Sequence, residues 1–95
     1  MTASLGEAKS GLPKVGALCV AIKQALEELG GEAGLQEIEE EVFRILEITP
    51  DQVAVLHEPG KPRSELDYRM AWARSRLKKS GELRRVDRGI WALER

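Results

Sequence analysis

Between Ser64 and Leu93 the chain carries a segment of helical spacing, then a Ser80-Gly81 stop. Two short β-prone runs follow, LRRV (83–86) and IWAL (90–93), joined through Asp-Arg-Gly. No other feature of the sequence constrains the fold as strongly. A hairpin is not stable alone, and an amphipathic helix must cover its apolar stripe. A long helix that runs straight into a tight hairpin therefore has to fold the hairpin back onto its own helices. Ser64 suits the N-cap of this helix, with Glu65 and Asp67 in the first turn, where the helix dipole favours anions. Leu66, Met70, Ala73 and Leu77 share one face at 100° per residue and form the core stripe. Gly89 supplies the freedom that a tight connection needs.

Upstream, Val15, Leu18, Cys19, Ile22, Leu26 and Leu29 mark a first helix, closed by Gly30-Gly31. EAG (32–34) is short enough for a single rung of sheet. Leu35, Ile38, Val42, Ile45 and Leu46 mark a second helix. In TPDQ (49–52), Thr49 and Gln52 have the spacing of a capping box and Pro50 stands at the first helical position, so a short third helix runs to about Leu56. HEPGKPRS (57–64) is a loop. Residues 1–13 read as a flexible tail and 14–95 as one domain. The resulting class is α+β, mostly α: a winged helix-turn-helix with three to four helices and a C-terminal two-stranded wing. In that class the last helix, here the fourth, enters the DNA major groove and the wing meets the neighbouring backbone. The expected core is Leu18, Ile22, Leu26, Ile38, Val42, Leu66, Met70, Ala73, Leu77, Leu83 and Leu93.

Charge becomes informative once it is divided. The whole chain has a formal net charge of -1, yet residues 1–60 hold four bases against eleven acids and residues 61–88 hold ten against four. Such asymmetry suits a polyanion-binding face, although the two halves pairing within the fold is the plain alternative. On a helical wheel the fourth helix turns Tyr68, Ala71, Trp72, Ser75, Lys78 and Lys79 away from the core, with Arg69, Arg74 and Arg76 on the shoulders. The reading assigns Tyr68, Trp72, Ser75, Arg76 and Lys79 to the groove of double-stranded DNA. It assigns Arg69, Lys78, Arg84, Arg85 and Arg88 to phosphates, with Arg88 at the wing tip. Against this, Glu65 and Arg69 are spaced to pair within the helix. For Trp72 two readings stand, groove contact or cover by a wing that folds back, with cover favoured; Trp91 is expected to be covered, and Tyr68 to be exposed.

Other chemistry is excluded more easily. One cysteine and one histidine allow neither an internal disulfide nor a Cys/His zinc site. Cys19 falls on the apolar stripe of the first helix. His57 sits in a Pro/Gly loop with no evident partner. Glu37, Glu39, Glu40 and Glu41 read as a solvated outer face of the second helix, and GKPRS (60–64) lacks the strand and upstream glycine of a phosphate loop. No catalytic residue, metal site or cofactor is expected. No apolar run approaches a membrane span and the start lacks a secretory pattern, so a cytoplasmic, nucleoid-associated protein is expected.

Four stretches, LGGEAGLQEI (29–38), the short helix after ITPDQ, WARSRLKKSGEL (72–83) and RGIWAL (88–93), resemble the N-terminal domain of the Mrr family of restriction endonucleases. The resemblance covers about residues 15–93. It implies a winged helix that binds DNA and is normally followed by a nuclease domain. The sequence ends at Arg95, directly after the wing, so DNA recognition without cleavage is expected. The implied partners are double-stranded DNA and either a second copy or a fused or associated nuclease subunit. The rival reading is a winged helix that dimerises or docks onto protein through its acidic second helix.

Overall fold

The computed structural model describes residues 9–94. Its elements are α1 (Val15–Glu28), β1 (Glu32–Gly34), α2 (Leu35–Ile45), α3 (Pro50–Val53), α4 (Glu65–Lys79), β2 (Leu83–Asp87) and β3 (Ile90–Leu93). The helices pack around one core, and an antiparallel sheet of order β1-β3-β2 closes its side. This is the mostly helical α+β winged-helix architecture that the element order implied. The wing is one strand larger than the expected hairpin. EAG pairs with β3 through Glu32↔Ala92, Ala33↔Trp91 and Gly34↔Ile90.

Local chemistry explains the boundaries. The Ser64 hydroxyl accepts from the Asp67 N–H at 3.0 Å and starts α4. At its end the Gly81 N–H bonds Lys78 O and the Glu82 N–H bonds Leu77 O, a reversal that needs the left-handed conformation Gly81 adopts at φ 80°. The chain then turns straight into β2. Thr49 and Gln52 form the expected reciprocal cap of α3. That helix stops at Val53, short of Leu56, because Leu56 instead makes an isolated antiparallel bridge with Ser64. The bridge draws the two ends of the 57–64 loop together.

Of the expected core, Leu18, Ile22, Leu26, Ile38, Val42, Leu66, Met70, Ala73, Leu77 and Leu83 are all buried. Leu93 is the exception. It lies near the end of β3 and is half-buried, while Ala92 is buried at the sheet's centre. Trp91 and Leu93, opposite Arg85 and Leu83, form the pair that packs on the helical core.

The expected flexible tail falls largely on residues 1–8, outside the described residues. Its remainder, residues 9–13, is held down. Leu12 is buried, and the Lys9, Leu12 and Pro13 carbonyls are all hydrogen-bonded to Arg69.

Candidate nucleic-acid interface

The N-terminal turn of α4 is a buried polar knot. Glu65, only 6% exposed, accepts from His57 Nδ1 at 2.7 Å and from Arg69 Nε at 2.6 Å, with Lys9 Nζ at 3.7 Å. Arg69 spends its remaining donors on Lys9 O (3.0 Å), Leu12 O (3.3 Å) and Pro13 O (3.0 Å). Burial pushes the Glu65 carboxyl up, but the hydrogen bonds from His57 and Arg69 outweigh it and hold the group below its usual range. Arg69, expected on phosphate, is engaged within the fold by Glu65 and the three carbonyls. His57 is not the partnerless loop residue that was expected, because the Leu56–Ser64 bridge brings it back over the buried carboxylate.

Tyr68 is half-buried rather than open. Its ring stacks on His57 with centroids 3.8 Å apart, and the Arg63 guanidinium lies 5.5 Å from its centroid. Arg63, which the sequence did not single out, also lines a hollow of about 320 Å³ between α2 and α4 with Leu35, Glu39, Asp67 and Arg74. Glu39 was expected on the solvated outer face but turns toward α4. Burial and a side-chain hydrogen bond with Asp67 push its pKa up to about 7, against the pull of Arg74.

This pair has a testable consequence. Folded Glu39 holds its proton more tightly than it would in the unfolded chain, so ionising it costs the folded state. The penalty is absent below the ordinary value of 4.5, grows up to about 7, and is complete above that. Glu39→Gln supplies a neutral hydrogen-bonding group. It should stabilise the domain at pH 8 by about 1 kcal/mol, allowing for screening at a half-exposed site, and leave stability at pH 4 unchanged. Urea unfolding at the two pH values reads this. An equal effect at both would show that Glu39 is not strained by its charge.

Farther along α4 the outward face behaves as the wheel implied. Trp72, Ser75, Arg76 and Lys79 line a hollow of about 330 Å³. Trp72 is 59% exposed, so the wing does not cover it, whereas Trp91 is half-buried against the core. The β2–β3 hairpin is itself part of the three-stranded sheet, with β3 paired to β1. Its turn residue Gly89, at φ 70°, accepts from the Leu35 N–H at 2.8 Å, which ties the wing tip to the start of α2.

The basic side chains of α4 and the hairpin divide into two groups. Arg69 is in the knot, Arg74 is drawn toward Glu39 and Asp67, and Arg84 pairs with Glu94 at 2.7 Å. Among the described residues, Arg76, Lys78, Lys79, Arg85 and Arg88 have no acidic partner within 4 Å, and all five are exposed. Glu28 and Glu41 are held by Arg44, and Glu82, just past the end of α4, is held by Lys23. The basic and acidic halves thus pair in part and leave a residue of free positive charge on α4 and the hairpin. Cys19 is buried, its Sγ 3.7 Å from the Ala73 carbonyl, and burial raises its pKa. Among the described residues no group of three or more His, Cys, Asp or Glu side chains is placed to hold a metal ion, and no helix is long and apolar enough to cross a membrane.

A winged-helix domain with a cationic last helix and hairpin is the class these features define. The family model of the Mrr N-terminal domain matches residues 18–95, and the chain belongs to that family, a module associated with restriction systems. No curated protein and no solved structure matches the chain.

Proposed function

We propose that this domain binds double-stranded DNA, with the outer face of α4 in the major groove and the β2–β3 hairpin on the adjacent backbone. It serves as the targeting module of a restriction system and does not itself cut. The observation that carries the reading is that α4 and the hairpin carry five exposed cations without acidic partners, Arg76, Lys78, Lys79, Arg85 and Arg88. An exposed cation without an acidic partner is available to a phosphate, and each one set on a phosphate releases condensed counterions. Groove contacts fall to Trp72 and Ser75, with Arg76 and Lys79 at the groove edges, where they also meet phosphates. Tyr68 contributes only the part of its ring that His57 and Arg63 leave open. Arg69 is removed from the set, and Arg84 joins it only when Glu94 releases it.

Titration with duplex DNA at several salt concentrations tests this. With five phosphates neutralised, log K against log salt should have a slope of about −4.5. Amide shifts should fall on residues 72–79 and 84–89. Salt-insensitive behaviour, or shifts confined to residues 35–47, would favour protein docking through the acidic helix instead.

A further inference from the structure

Trp72 is the side chain on α4 that the fold leaves least explained. The other aromatics of the C-terminal half are engaged: Tyr68 stacks on His57, and Trp91 packs on the core. Trp72 keeps 59% of its surface in water on the outward face of the helix. It lies in the hollow of about 330 Å³ shared with Ser75, Arg76 and Lys79. An apolar ring is thus bordered by a hydroxyl and by two cations that no acid neutralises. A partner that fits must offer anionic groups at the borders and something apolar in between. A duplex groove does, because phosphates line its edges. Base faces in a duplex are stacked and out of reach, and the base edges on the major-groove floor are polar with one exception, the C5-methyl group of thymine.

We propose that Trp72 is a specificity-determining residue that packs against the C5-methyl group of thymine, while Arg76 and Lys79 hold the flanking phosphates. This rests on the reading that α4 enters the major groove of a duplex. Trp72 forms no part of the core, so its replacement leaves the fold intact. A methyl group taken out of water onto the indole changes affinity by about fourfold. Ser75, next to the ring, is small enough to let the groove floor approach.

The test needs no knowledge of a preferred sequence. An alternating A·T duplex of about twenty base pairs presents a thymine methyl at every step in any register, and its counterpart with deoxyuridine for every thymidine presents none. Both are titrated at low salt against the 95-residue chain and against Trp72→Ala, by fluorescence anisotropy. The wild-type chain should bind the thymine duplex about fourfold more tightly for each methyl contacted. Trp72→Ala should bind both duplexes alike with the salt slope unchanged, and Trp72→Phe should keep part of the preference. Equal wild-type affinity for the two duplexes, with normal salt dependence, overturns the thymine contact and leaves the DNA reading standing. So does a preference that survives in Trp72→Ala. Tighter binding of single-stranded oligo-dT than of duplex, with quenched tryptophan emission, overturns it in favour of stacking on an unpaired base. Absence of salt-dependent binding to every duplex overturns the DNA reading itself.

Discussion

Arg69→Ala should cost about 3–5 kcal/mol of folding stability and leave the salt dependence of DNA binding unchanged. Removing the guanidinium strands Glu65, whose side chain is 7% exposed, beside a single remaining hydrogen bond from His57 and a distant Lys9 ammonium. It also frees the carbonyls of Lys9, Leu12 and Pro13, which Arg69 ties to α4. A domain of this size has roughly 5–15 kcal/mol in total, so such a loss takes much of it. Arg69→Lys should rescue little, because one ammonium cannot meet a carboxylate and three carbonyls in the fork geometry of guanidinium. Urea unfolding at neutral pH reads the effect. The acid limb gives a second check. Glu65 titrates below its usual value in the folded chain, so its stabilisation is complete above the ordinary carboxyl range and is lost as pH falls through the lowered value. Without Arg69 that acid-dependent loss should shrink. A stability change under about 1 kcal/mol, typical of an exposed pair, together with a flatter salt slope, would return Arg69 to the phosphate-facing role its wheel position suggests.

Arg69 also shows where reading the sequence stops. Helical spacing placed the core stripe of α4 correctly, down to Leu66, Met70, Ala73 and Leu77, because burial repeats with the helix period and needs no distant information. Caps were legible for the same reason: Ser64, Thr49 with Gln52, and Gly81 act within three or four residues. The third strand was visible only as a possibility, since EAG gains its identity from β3, far along the chain. What the sequence hid were contacts closed by loops. His57 reaches Glu65 only because Leu56 and Ser64 bridge, and residues 9–13 reach Arg69 across more than fifty positions of sequence. A buried Glu at the first helical position, with an Arg one turn later, was the one available hint. Glu39 was misplaced because a flank position beside Ile38 can face either solvent or a neighbouring helix, and the identity of that neighbour is tertiary information. Trp72 was expected beneath the wing because exposing an indole is costly. The wing instead belongs to a sheet anchored at Leu35, so it cannot swing over α4.

Exchanging Arg76, Lys78, Lys79, Arg85 and Arg88 together for glutamine should lower duplex affinity by at least about a thousandfold near ~0.1 M salt and bring the salt slope close to zero. All five side chains are exposed and without acidic partners among the described residues, so the fold loses no interaction and the melting curve should stay put. Single changes divide the set. Arg88→Ala at the wing turn should flatten the slope by about one unit for every sequence alike, as a phosphate contact does. Arg76→Ala, in the hollow beside Trp72, should also alter preference among sequences. Arg84 supplies the opposite experiment. It is held by Glu94 at 2.7 Å with both side chains partly in water, a pair worth little to the fold. Glu94→Gln releases it and removes a negative charge from the hairpin, so the slope should steepen by about one unit and affinity should rise. If the five-fold variant binds as the wild type does, the free cations are not the interface. If Glu94→Gln alone has no effect while Arg88→Ala does, the DNA backbone passes the wing at its turn and not along the outer face of β2, where Arg84 lies.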